Sequence, residues 1–176
     1  VNIRWRIAVL TLFVSLFALF GGFYGYQWYN VEKPIRETVE HTPHVHLKTL
    51  SVQPDRITLR FKPDPEFSLV SDYLPLREKV KAHAGDRKLD IHFADRPDSS
   101  LRDAWNRMSF GVKEGIAHRR YTAIPETVEK VAKKEGIRYR LSMDAGYVYV
   151  ELHKGDRFLY QVLPLNKAEG EVNNNG

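Results

Sequence analysis

The sequence predicts an α+β protein: an N-terminal transmembrane helix, then a two-layer sandwich of mostly antiparallel sheet with helices on one face, in the order ββα-β-αα-βββ. Three observations predict it. An uncharged apolar run opens the chain, from Ile7 to Val31. Six short segments then alternate apolar and polar residues with a period of two, the pattern of half-buried strands. Three longer stretches between them carry apolar residues at helical spacing.

The opening run is long enough to cross a bilayer as a helix, which takes about 20 apolar residues. It is apolar on every side and has no face for water. Tyr24, Tyr26, Trp28 and Tyr29 follow it as an aromatic belt, and Trp5 marks the opposite interface. Arg4 and Arg6 are the only charges before residue 32, so the positive-inside rule puts the N-terminus in the cytoplasm and the rest outside. Val1 stands where Met is usual, and an alternative start codon would account for it. The competing reading is a cleaved signal peptide, whose apolar region is usually 7–15 residues. This run is longer, and Ala18-Leu19-Phe20 ends in a bulky residue where a cleavage site needs a small one. Gly21 and Gly25 have the GxxxG spacing that lets two membrane helices approach closely.

The expected organisation is a cytoplasmic N-terminus (1–6), a transmembrane helix (7–29), a juxtamembrane linker (30–44), an extracytoplasmic domain (45–165) and a disordered tail (166–176). Pro34 and Pro43 punctuate the linker, where Val31, Ile35 and Val39 suit a short amphipathic turn. Val45, Leu47 and Thr49, then Ile57, Leu59 and Phe61, make a hairpin around Gln53-Pro54-Asp55. A helix is expected from Asp64 to Gly85, capped by Asp64, with Pro75 kinking it or starting a second piece. Leu89, Ile91 and Phe93 form a third strand. Ser100 to Asp103 reads as a capping box for the longest helix, which carries Leu101, Trp105, Met108, Val112 and Ile116. A further helix starts near Pro125 and ends at Gly136. Three strands close the domain, turning at Asp144-Ala145-Gly146 and at Gly155-Asp156.

Composition narrows the chemistry. There is no cysteine, so disulfides, thiolate metal sites and a cysteine nucleophile are excluded. The 27 basic and 22 acidic residues are interspersed, which argues against a nucleic-acid partner. The sequence holds no G-x-S-x-G elbow, no S-x-x-K, no H-E-x-x-H and no phosphate-cradling glycine loop. No catalytic residue and no cofactor is predicted. His41, His44 and His46 are a weak candidate for zinc or copper, set against a polar linker that happens to carry histidines. Tyr147 and Tyr149 fall opposite Val148 and Val150. If helices cover one face only, these tyrosines, with Arg138, Arg140 and His153, form an exposed binding surface.

Phe110-Gly-Val-Lys-Glu-Gly-Ile-Ala-His118, Tyr147-Val-Tyr-Val-Glu-Leu-His153 and Phe158-Leu-Tyr-Gln-Val162 resemble segments of uncharacterised single-pass membrane proteins of Gram-positive spore-forming bacteria. The resemblance covers the last third of the chain and carries no catalytic residue. It implies a bacterial membrane setting and an envelope or sporulation context. The function expected is a membrane-anchored, non-catalytic interaction module whose partners are the bilayer and another envelope protein or a second copy. The alternatives are an extracytoplasmic binder or sensor of glycan, metal or anionic polymer, and an unrecognised envelope enzyme.

Overall fold

The computed structural model describes residues 3–166. The protein is α+β, with a long apolar N-terminal helix and two small three-stranded sheets. Residues 167–176, most of the expected tail, lie outside the described residues.

Helix α1 (Ile3–Gln27) does not stop where its apolar residues do. It passes through a π-helical turn, Trp28–Glu32, directly into α2 (Lys33–Glu40). Proline explains the turn. Pro34 has no N–H, so an α-helical ladder would fail there. The wider turn closes instead with the Lys33 N–H on the Trp28 carbonyl, five residues back. The same device recurs before Pro75. A second π-turn, Leu69–Tyr73, closes with the Leu74 N–H on the Leu69 carbonyl and leads into α3 (Leu74–Ala84).

The strands do not join into one sheet. β1 (Val45–Val52) pairs antiparallel with β2 (Arg56–Pro63), and β2 pairs in parallel with β3 (Lys88–Phe93). A parallel pair needs a crossover, and α3 supplies it. The second sheet is the closing meander of β4 (Arg138–Met143), β5 (Tyr147–Lys154) and β6 (Arg157–Pro164), antiparallel throughout.

The helices divide between two apolar clusters rather than lining one face. Val31, Ile35 and Val39 from the α1–α2 rod join the inward residues of β1–β3, α3, and Tyr147, Tyr149, Phe158 and Tyr160 of the second sheet. α4 (Ser99–Ala117) and α5 (Ala123–Glu135) pack on the other face of that sheet, against Val148, Val150, Leu152 and Leu159. The second sheet is therefore covered on both sides.

Three local expectations shift. The expected helix from Asp64 begins later, with Ser68 as its cap, and Asp64-Pro65 stays in the preceding turn. α4 is capped by Asp98, whose Oδ1 accepts the Leu101 N–H at 2.8 Å, in place of the Ser100 capping box. The expected linker at 30–44 is mostly helix, and Ile35 and Val39 are fully buried. Elsewhere the turn residues act as their chemistry demands. Gly136 ends α5 in the left-handed region, at φ 64°. In α4, Gly111 and Gly115 let α5 approach: a Cβ on Gly111 would stand 2.5 Å from Thr127 Cγ2.

Candidate functional site

The most distinctive construction is the junction where the apolar helix enters the domain. Trp5 to Glu40 is one helical segment, and none of its apolar window is buried within the protein. It is the one helix among the described residues long and apolar enough to cross a membrane. Trp5, Tyr24, Tyr26, Trp28 and Tyr29 are all exposed. Arg6 is exposed too, while the side chain of Arg4 lies outside what is described. Past Trp28 the character of the rod changes. Val31, Ile35 and Val39, at i, i+4 and i+8, turn one face into the core. Gln27 fastens the junction from the side: its Nε2 donates to the Val52 carbonyl at 2.9 Å. A groove of about 490 Å³ opens beside the rod, between α2 and α3, with Glu37, His41, Asp72, Lys79 and His83 on its walls.

The tyrosine surface is placed otherwise than expected. Tyr147, Tyr149, Arg138, Arg140 and His153 do share a sheet face, since Arg138 pairs with His153 and Ser142 with Tyr149. That face is not free. The Leu69–Tyr73 turn and α3 cover it, leaving Tyr147 only 7% and Tyr149 1% exposed. Both rings belong to the core, because the helices expected on one side lie on two. Tyr149 donates its hydroxyl to Asp144 Oδ2 at 2.6 Å, and Arg77 stacks over the Tyr147 ring at 4.3 Å. Burial works against a charge on Asp144. The Tyr149 hydroxyl and the N–H groups of Gly146 and Tyr147 outweigh it and hold this carboxyl below its usual range. Tyr73 lies alongside, with its hydroxyl buried and without a hydrogen-bond partner. Such a group costs about 1–3 kcal/mol of desolvation. Tyr73→Phe is therefore expected to raise stability by about 1 kcal/mol, read as a higher denaturation midpoint at unchanged slope.

Arg140 and His153 flank the one buried carboxylate of this face, Glu151, which the sequence reading did not single out. Its Oε1 accepts the Leu69 N–H at 2.7 Å and faces Ser68 Oγ at 3.3 Å. Its Oε2 lies 3.3 Å from Arg140 Nη1 and 4.0 Å from His153 Nε2. Ser68 Oγ also accepts the N–H groups of Val70 and Ser71, while Asp72 reaches back to the Ser68 N–H at 2.9 Å. This is a reciprocal cap on the π-turn, pinned to the second sheet by Glu151. Ser68 Oγ thus joins the carboxylate of the second sheet to the N–H groups of the π-turn, and the cluster staples the two elements together. Its residues are engaged with one another.

Burial raises the Glu151 pKa, with the Leu69 N–H, Arg140 and Ser68 opposing. Burial also lowers that of His153, helped by Arg138 and Arg140. Glu151→Ala leaves the buried Leu69 N–H unpaired, while the exposed Arg140 keeps Ser68 Oγ, and is expected to cost about 1–3 kcal/mol. Glu151→Gln keeps an acceptor and costs less. The pH dependence separates the two states of the residue. With the folded pKa raised, Glu151 contributes most below its ordinary 4.5, and that contribution falls as pH rises through the folded value. The stability advantage of the native chain over Glu151→Gln is thus expected to be larger near pH 4.5 than at pH 7, measured by denaturant titration.

The three histidines do not converge. His41 Nδ1 donates to the Glu37 carbonyl at 2.7 Å, and His46 Nε2 pairs with Asp64 Oδ2 at 3.0 Å. His44 sits at the turn before β1 with φ 61°. Among the described residues, no group of three or more His, Asp or Glu side chains is placed to hold a metal ion.

Comparison of the chain with protein-family models, with curated proteins and with solved structures gives no match.

Proposed function

We propose that this protein is a membrane-anchored, non-catalytic interaction module, with a cytoplasmic N-terminus and an extracytoplasmic domain at the cell membrane. The observation that carries this reading is the unbroken rod. An apolar helix with no buried residue in its apolar window runs directly into a helix whose inward residues are core. Such a part fixes a small domain at a set place on a membrane. Confinement there raises the effective concentration of the domain toward a neighbour in the same membrane or envelope, including a second copy. Arg4 and Arg6 before the apolar run support the orientation. The engagement of Ser68, Glu151, Arg140 and Asp144 with each other or with backbone supports a non-catalytic role. The resemblance of the C-terminal third extends the proposal to envelope or sporulation-related assembly.

The test is photocrosslinking in cells from exposed positions of the domain. A discrete adduct is expected with α1 in place, and its loss when a cleavable leader releases the domain. No adduct from any face would contradict the reading. A sensor remains the second reading, favoured by the groove between α2 and α3. A ligand held there by Glu37, His41, Asp72, Lys79 or His83 would press on α2 and, through the rod, on α1.

A further inference from the structure

We propose that the base of the domain, the β1–β2 hairpin together with the start of β3, rests on the phospholipid headgroup layer. This surface binds the bilayer itself. The inference rests on the membrane-anchor reading and goes beyond it, because an anchor alone would allow the domain to stand clear of the surface.

The argument is one of heights. The apolar run begins at Ile7, and a hydrocarbon core of about 30 Å takes up about 20 helical residues, which brings the far boundary to Gln27. From Gln27 the rod climbs to Glu40, a rise of about 20 Å at 1.5 Å per residue. The chain turns at His41–His44, and β1 runs from Val45 to Val52, a length of about 23 Å at strand geometry. Helix and strand pack against each other, so the strand descends the height that the helix gained. The Gln27–Val52 hydrogen bond at 2.9 Å fixes that return directly: the end of β1 is level with the residue at the lipid boundary.

What lies past Val52 therefore reaches the headgroups. Gln53, Pro54, Asp55 and Arg56 are exposed there. The start of β3 shares the level, because Lys88 donates its N–H to the Asp55 carbonyl at 2.9 Å and pairs with Arg56 across the sheet. Gly85 and Asp86 lead into it, both exposed. The chemistry of this end fits the headgroup layer and not the hydrocarbon: it is polar, carries both signs of charge and offers no large exposed apolar side chain. Trp28 and Tyr29, exposed at the same level on the rod, are the residue types that favour that layer.

The absence of cysteine makes the test direct, since one introduced cysteine gives one label. A fluorophore is placed at residue 12, 53 or 62 of the full chain, replacing Leu12, Gln53 or Lys62, in phosphatidylcholine vesicles. Quenching is read from spin-labelled lipids, with the spin on the headgroup or on the acyl chain. Strand geometry puts residue 62 about 20 Å above the base. The headgroup spin is therefore expected to quench residue 53 at least about threefold more than residue 62. The acyl-chain spin is expected to quench residue 12. Equal quenching at 53 and 62, with residue 12 still quenched, overturns the resting surface and leaves the anchor standing. No quenching at residue 12 overturns the anchor, and the resting surface with it.

Discussion

A fragment beginning at residue 45 is expected to stay unfolded, whereas one beginning at residue 27 folds cooperatively. The two differ by a stretch that a reading by composition assigns to a linker. In the structure that stretch carries Val31, Ile35 and Val39, with 6%, 0% and 0% of their surface exposed. Full burial of a side chain of this size contributes about 1.5–3 kcal/mol, so the three together contribute about 5–9 kcal/mol. Small domains are stable by only about 5–15 kcal/mol. Removing the three therefore takes away much of the margin and also bares the faces of β1 and α3 that they cover. Circular dichroism and a denaturant titration of both fragments check this. A fragment from residue 45 with a cooperative transition would mean that the rod is not part of the core.

Tyr149→Ala is expected to cost about 3–5 kcal/mol, the range for truncating a buried aromatic side chain. Arg138→Ala, an exposed change on the same sheet face, is expected to stay within about 0.5 kcal/mol. Both residues belong to the surface expected from sequence, so the pair decides between two pictures. On an exposed binding face both changes would be mild. In the structure Tyr149 lies between Tyr73 and Tyr147 and also holds Asp144 at the β4–β5 turn. Denaturation midpoints of the two variants measure the contrast, and similar values would refute the burial of this face.

The two predictions mark where the sequence was legible. The meander was readable because each strand alternates cleanly and each turn holds its own chemistry: Asp144 accepts the N–H groups of Gly146 and Tyr147, and Gly155 takes φ 61°. The grouping of Tyr147, Tyr149, Arg138, Arg140 and His153 on one face followed from the same period. Their burial did not. Tyrosine and valine alternate alike whether a strand is covered on one side or two, and tyrosine suits either setting. The split into two sheets was equally hidden, since the parallel pairing of β2 with β3 is decided by the crossover of α3 and not by either strand. Pro34 and Pro75 read as breaks because proline removes a donor; the π-turns that accommodate them leave no pattern of their own. Val31, Ile35 and Val39 did show the spacing of a buried stripe, but between prolines and histidines it passed for a short turn.

Glu151 and Ser68 escaped for a related reason. A glutamate following Tyr147 and Tyr149 at the same period is the available signal, and on a solvated face it would mean nothing. Its partners come from the Leu69–Tyr73 turn, 82 and 83 residues away in the chain. Only the tertiary fold brings them together.

The apolar helix runs into the domain through the π-turn at Trp28–Glu32 with no break, so the two are expected to move as one body. The most direct measurement is the distance distribution between spin labels replacing Phe20, on the apolar helix, and Lys62, at the far end of β2, in reconstituted full-length protein. A single narrow distribution is predicted. A broad one, spread over the many distances of a flexible tether, would contradict it.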